Sequence, residues 1–284
     1  MQGRSNERGR LSAWARQAGD ALVSVVFPAD CRICQRSLIR ASRVPICEEC
    51  LGSFQPLEPP LCEICGQPLE IPSFASRNSV ERGPLLEANS ICTVCEARTY
   101  GFDRARSYAK YEGALVRAIV LLKFSQIEPL GAWFATRLAE VSRQFRLDRE
   151  PLDVVVPVPL HRQRECERGY NQADLIGRPL ARRLKVAYRP LLLVRKKPRP
   201  DKQILSLEER WSSVRGAFAT RPGSQVDKLR VLLVDDVMTT GATLDACARA
   251  LREAGAKSVI GLTVARAVRR PVLGSEPLNQ PDPG

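Results

Sequence analysis

Two adjacent acids, Asp235 and Asp236, end the apolar run Val231–Val234, and a loop with Thr239, Thr240, Gly241 and Thr243 follows. An apolar strand ending in carboxylates and feeding a hydroxyl-rich turn into a helix places its polar groups at the C-terminal edge of a sheet. Ligands of open α/β sheets sit there. The N–H groups of the turn and of the helix start favour an anion. Three threonine hydroxyls add donors, and Gly241 lets the backbone approach closely. The carboxylates suit ribose hydroxyls as donors. Phosphate beside diol beside acids describes a ribose 5-phosphate. A Walker B strand or a dinucleotide fold would need GxxxxGK[ST] or GxGxxG, and the chain has neither.

A second chemistry is written in cysteine. Eight of ten cysteines form four CxxC pairs: Cys31/Cys34, Cys47/Cys50, Cys62/Cys65 and Cys92/Cys95. Zinc takes four ligands in a tetrahedron, so two CxxC turns make one site and four turns make two. His161 is the only histidine and lies far along the chain, so both sites are expected to be all-sulfur. With every position filled, the metal is structural rather than catalytic. Cys31-Arg32-Ile33-Cys34 with Leu38 repeats as Cys62-Glu63-Ile64-Cys65 with Leu69, a period of 31 residues. The repeat favours sequential pairing of the turns, with crossed pairing as the alternative. A secreted disulfide scaffold or a thioredoxin-like redox site does not use four CxxC turns in a row. Cys247, between Ala246 and Ala248, reads as a small buried side chain.

The elements that must position these groups follow from apolar spacing. Residues 1–30 read as an amphipathic helix, with Leu11, Trp14, Ala18, Leu22, Val25 and Val26 at helical spacing. Residues 31–100 hold the duplicated cysteine unit, with a long polar insert at Glu70–Ser90. From about 101 to 270 strands and helices alternate. Arg104–Tyr111, Asp153–Val158, Leu191–Val194, Val231–Val234 and Ser258–Val264 read as strands. Helices are expected around Leu115–Leu122 and Trp133–Val141, from an Asn171 cap to Leu184, and over Thr243–Ala254 with Gly255 as the stop. Pro179 predicts a kink or a late start in the third of these. Arg195–Ser213, basic and holding Pro198 and Pro200, reads as a long exposed loop. Residues 271–284, rich in Pro and Gly, read as a disordered tail. Helices between strands imply a parallel sheet with crossovers.

The net charge is +13, from 44 basic and 31 acidic residues. Such an excess suits anionic partners, nucleic acid among them. Basic residues cluster at His161, Arg162, Arg164 and Arg168, and at Arg195, Lys196, Lys197, Arg199 and Lys202. No apolar stretch approaches the length a membrane helix needs, and the N-terminus is too broken by polar residues for a secretory signal. A cytoplasmic protein is expected.

The stretch VLLVDDVMTTGAT (Val231–Thr243) resembles the PRPP (phosphoribosyl pyrophosphate) signature of type I phosphoribosyltransferases. With the four CxxC turns, PVPLHRQRECERGYNQADLI (Pro157–Ile176) and SVRGAF (Ser213–Phe218), the chain is similar to the ComF family of competence-associated homologues. The resemblance covers about residues 20–266. It implies an α/β type I phosphoribosyltransferase fold behind an N-terminal double zinc ribbon. It implies that Asp235 and Asp236 meet the ribose hydroxyls and that Thr239, Thr240, Gly241, Ala242 and Thr243 hold the 5-phosphate. Val158 with Pro159, Leu160, His161 and Arg162 is similar to the pyrophosphate loop, and a magnesium ion accompanies PRPP. The reaction implied is phosphoribosyl transfer to a nitrogen nucleophile. The alternative is a non-catalytic accessory protein of DNA uptake, with PRPP as regulator and with single-stranded DNA and a competence helicase as partners. Ser213 stands where relatives commonly carry asparagine, and Gln203–Leu207 stands where they carry a TGLSR-like stretch. Both departures fall where an acceptor would bind. Lys123-Phe124-Ser125-Gln126 stands where they carry KYxG.

Overall fold

The computed structural model describes residues 30–38, 43–69, 90–147, 151–198 and 206–268. The expected N-terminal helix (but for Asp30), all of the Glu70–Ser90 insert except Ser90, and the tail lie outside the described residues. The centre is a five-stranded parallel sheet. Its strands are β1 (Arg104–Lys110), β2 (Val154–Pro157), β3 (Ala187–Tyr188), β6 (Arg230–Met238) and β7 (Ser258–Arg266), in the order β1-β7-β6-β2-β3.

The runs Val154–Val156 of β2 and Val231–Val234 of β6 are apolar at every step because both faces of a crossover sheet are covered. In β6, Val231 and Leu233 join one core cluster, and Leu232 and Val234 join the other. The first cluster packs under α8 (Ala242–Glu253), through Leu244, Cys247 and Leu251. The second packs under α3 (Gly113–Phe124), α4 (Glu128–Gln144) and α6 (Gln172–Leu184), through Ile119, Phe134, Ile176 and Leu180. Cys247 is fully buried, as its small neighbours imply.

Several sequence expectations are corrected. Helix α6 starts at Gln172, where the Asn171 side chain accepts from the Ala173 N–H at 3.0 Å, and it runs through Pro179 without a late start. Pro179 cannot donate to the Leu175 carbonyl. That carbonyl faces Gly131 of α4, where an added Cβ would come within 2.6 Å of it. In α6, Leu180 is fully buried, while Leu175 and Leu184 are half-buried at the core edge. The Leu191–Val194 strand is β4 (Leu193–Arg195), and it stands outside the parallel sheet. It pairs antiparallel with β5 (Phe218–Thr220) as a separate two-stranded hood. The expected loop Arg195–Ser213 carries a helix, α7 (Leu207–Val214), started by a capping box in which Ser206 and Glu209 satisfy each other's backbone N–H.

The cysteine-rich segment adds two short helices, α1 (Glu48–Gly52) and α2 (Thr93–Glu96), and docks on the sheet edge. The Leu57 N–H donates to Tyr108 O and the Lys110 N–H to Gln55 O, both at 2.9 Å. The segment thus covers the open edge of β1, which would otherwise present unpaired backbone groups. Helix α5 (Arg162–Arg168) follows β2.

Candidate functional site

The C-terminal ends of β2 and β6 open into a cavity of about 160 Å³. Asp235, Asp236, Thr239, Thr240, Ala242 and Thr243 line one wall, and Pro159, Leu160 and His161 line another. Two of the expected residues stand apart from the lining. Arg162 is exposed as the first residue of α5, and Gly241 lies beneath the loop at φ +84°. An added Cβ at Gly241 would meet Met238 at 2.9 Å and the Tyr100 ring at 3.2 Å, so only glycine fits.

Gly241 is also the N-cap of α8 and has no side chain with which to cap it. Its first-turn N–H groups and the positive end of its dipole therefore face the cavity. Thr240 Oγ1 accepts from the Ala242 N–H at 3.3 Å and steadies the turn. Asp235 and Asp236 are 9% and 5% exposed and line the cavity wall. Strand β6 runs on to Met238 and buries them in the cavity wall. Lys123 Nζ lies 3.5 Å from Asp236 Oδ2. Asp236 raises the Lys123 ammonium above its ordinary value, against the opposing effect of burial. Asp236 Oδ2 is buried and makes no hydrogen bond, so Lys123 is the charge that faces it.

The sequence did not point to Lys123 as a cavity residue. It sits in the last turn of α3, and the turn after it is held by Tyr170, whose hydroxyl donates to Leu122 O and accepts from the Gln126 N–H, both at 2.8 Å. Tyr111, Gln172 and Arg210 are further lining residues from distant segments. Of the two basic clusters, Arg164, Arg168 and Arg195 line the cavity. Lys197 instead donates to Arg215 O at 3.1 Å, and Arg199 and Lys202 lie outside the described residues. His161 braces the loop after β2, its Nδ1 accepting from the Gln163 N–H at 3.4 Å. Asn171 Nδ2 donates to Val158 O at 3.0 Å and ties the same loop to α6.

The cysteines gather into two clusters: Cys31, Cys34, Cys47 and Cys50, and Cys62, Cys65, Cys92 and Cys95. Pairing is therefore sequential, and crossed pairing is excluded. Within each cluster the sulfurs lie within 4.8 Å of one another, with Cys62–Cys95 at 3.6 Å and Cys34–Cys47 and Cys65–Cys92 at 3.7 Å. A tetrahedral ZnS₄ centre with normal bond lengths separates its sulfurs by about 3.8 Å, so both clusters fit the ion. N–H groups turned to sulfur complete the fit: Cys47 N to Cys31 Sγ and Cys92 N to Cys62 Sγ, each at 3.3 Å. The Cys62 thiol is held well below the usual thiol range, chiefly by the Cys65 and Cys95 thiols directed at it. In the second cluster Arg266 Nη2 also reaches Cys65 Sγ at 3.3 Å, and buried Arg106 donates to Cys62 O and Glu63 O.

Comparison with known proteins agrees with both halves. The family model for a phosphoribosyl transferase domain matches residues 175–275, and that for a double zinc ribbon domain matches residues 22–96. The cluster geometry and the second match together support two structural zinc sites. Competence protein F of Haemophilus influenzae is 34% identical over 136 residues, which span 48% of this chain and 58% of that protein, a little over half its length. The DNA utilization protein YhgH of Salmonella typhi is 30% identical over 237 residues, 83% of this chain and 96% of that protein. The competence protein ComFC of Bacillus subtilis is 28% identical over 228 residues, 78% and 84% of the two chains. No described helix is long and apolar enough to cross a membrane.

Proposed function

The chain belongs to the ComF family, phosphoribosyltransferase-like proteins with a double zinc ribbon, and on that premise we propose that its cavity binds PRPP and transfers the phosphoribosyl group to a nitrogen acceptor. One observation carries the reading. A buried carboxylate pair and an uncapped helix N-terminus share one small cavity, rimmed by Arg164, Arg168, Arg195 and Arg210. In this reading Asp235 and Asp236 accept from the ribose hydroxyls. Thr239, Thr240, Ala242 and Thr243 cradle the 5-phosphate, with Gly241 beneath them. Pro159, Leu160 and His161 flank the pyrophosphate, with Arg162 outside the lining at the start of α5.

The bond from C1 of the ribose to the pyrophosphate oxygen breaks as the acceptor nitrogen bonds to C1. Pyrophosphate leaves with the electron pair, and the nitrogen's proton passes to the departing pyrophosphate or to water. Positive charge grows on the ribose ring as this happens, and the paired carboxylates below it stabilise that charge without rearranging. The arginine rim offsets the charge on the leaving group. Magnesium, when bound, would screen the pyrophosphate, and Asp235 and Asp236 are the carboxylates of the cavity wall that would meet its water shell. A cytoplasmic location suits a chain whose eight paired thiols serve metal rather than disulfides. Protein incubated with magnesium, PRPP and a panel of nitrogenous bases and ammonia should release pyrophosphate with at least one acceptor. Binding of PRPP without release for any acceptor would leave a regulatory ligand and remove the transferase.

A second reading is favoured by a separate groove of about 780 Å³ between α4 and α6, where Arg43, Arg178, Arg182 and Arg183 gather with Trp133 and Tyr170. Such a groove suits single-stranded DNA held mainly by its phosphates, in an accessory role in DNA uptake beside a helicase. Phe54 and Tyr100 of the cysteine-rich segment are buried and offer no stacking surface. Labelled oligonucleotide should bind weakly and lose affinity steeply with salt. No binding at low salt would remove this reading.

A further inference from the structure

We propose that the second cysteine cluster fixes the geometry of the phosphate loop, with Tyr100 as the positioning residue between them. The inference rests on the assignment of Thr239–Thr243 to a sugar phosphate. Tyr100 lies five residues past Cys95 and is itself buried. Its ring stacks on Phe102 at 4.6 Å and leans on Trp211 of α7 at 5.9 Å. Its hydroxyl donates to Thr240 O at 3.4 Å, and the ring forms the floor against which Gly241 rests.

The residues on either side grip the same unit. The Gly101 N–H donates to Asp245 Oδ1 at 2.6 Å, and Asp245 is a buried residue in the first turn of α8. Arg249 Nε donates to Asp245 Oδ2 at 2.9 Å while its Nη2 donates to Thr99 O at 2.8 Å. Arg98 stacks over Trp211 at 3.9 Å. Thr99, Tyr100 and Gly101 therefore each hold a different part of the loop and helix that would carry the 5-phosphate. At their other end the chain enters the cluster at Cys95, which is 6% exposed and packs in the same core as Tyr100.

The physical consequence is specific. Backbone N–H donors hold a phosphate only while several point at one place, and small misplacements cost much affinity. The metal in the second cluster anchors one end of the 95–101 segment, and the phosphate loop rests on the other. The pyrophosphate side is held independently, by Asn171 on Val158 and by the bridge between His161 and Arg195. A change at Tyr100 should therefore reach one ligand and spare the other.

The test titrates ribose 5-phosphate and pyrophosphate separately into the full-length, zinc-loaded protein. Tyr100→Ala should weaken ribose 5-phosphate about tenfold while pyrophosphate stays within about twofold. Tyr100→Phe, which keeps the ring on Gly241, should recover most of that loss. Arg249→Met removes an exposed side chain and so keeps the fold, and it should give a smaller loss confined to ribose 5-phosphate. Cys92→Ser should copy Tyr100→Ala, while Cys34→Ser in the first cluster should leave both ligands unchanged. Unaltered ribose 5-phosphate affinity in Tyr100→Ala and Arg249→Met, or an equal loss of both ligands, overturns the proposal. Failure of the wild-type protein to bind ribose 5-phosphate would instead overturn the assignment of the loop.

Discussion

The two cysteine clusters come from one duplicated unit, yet they live in different surroundings. The second is sunk into the molecule: Cys62, Cys65 and Cys95 are buried, Arg266 reaches Cys65 Sγ, and Arg106 holds the knuckle backbone. The first is buried only at Cys31, and Cys34 is exposed. It is tied to the helical layer by Arg117, which donates to Ile33 O at 3.0 Å, and by Cys31, Ile33 and Ile46, which pack in the core beneath those helices. Its charged neighbours Arg36 and Glu49 pair in solvent. The difference teaches that neighbours, not the ligand set, decide what a metal site does for a fold. A four-thiolate zinc centre carries net negative charge, and among the described residues only the second cluster has a buried cation against its sulfur.

The contrast can be broken most directly at the ligands. Cys95→Ser opens a centre shared with the sheet core and should cost about 4 kcal/mol or more, whereas Cys34→Ser should cost clearly less. Thermal unfolding with zinc counted per chain measures both, and equal losses would end the distinction. Next in size is Arg266→Met, which removes a charge-assisted bond to sulfur and should cost about 2 kcal/mol. It should also speed zinc release from one site only, read with a chromogenic chelator. The same difference between buried and exposed charge extends to the cavity. Lys123→Met should destabilise the protein by about 1 kcal/mol by leaving Asp236 buried without its cation. Because Asp236 raises the Lys123 value, the pair's stabilisation is complete below the ordinary lysine range and is lost as pH rises through the elevated folded value. The gap between wild type and Lys123→Met should hold through neutral pH and close only in strong alkali. The smallest effect belongs to Glu49→Gln, whose exposed pair should be worth less than about 0.5 kcal/mol.

What could be read from the sequence was local. Val231–Thr243 carries strand, acids, turn and helix start in one continuous run, so its chemistry was legible without a fold. The sequential pairing of the cysteines was legible because the 31-residue repeat keeps each pair of turns together. Helix α7 left a signal, the Ser206–Glu209 capping box, which the surrounding prolines and basic residues outweighed. Lys123, Tyr111 and Arg210 reach the cavity from three separate segments, and no spacing connects them. Arg106 and Arg266 are ordinary surface residues by composition, and their burial against sulfur and knuckle carbonyls emerges only when the cysteine-rich segment lies along β1 and β7. The burial of Asp235 and Asp236 was not legible because the strand was expected to end at Val234, four residues before it does.

The central claim is that the Asp235–Asp236 cavity is a PRPP site, and calorimetric titration of PRPP with magnesium into the wild-type, Asp235→Asn and Asp236→Asn proteins tests it most directly. The account predicts one site per chain in the wild type and a roughly ten- to hundredfold loss of affinity for each substitution, with zinc content and thermal unfolding showing an intact fold. No binding to the wild type, or unchanged affinity in a folded double variant, would contradict it.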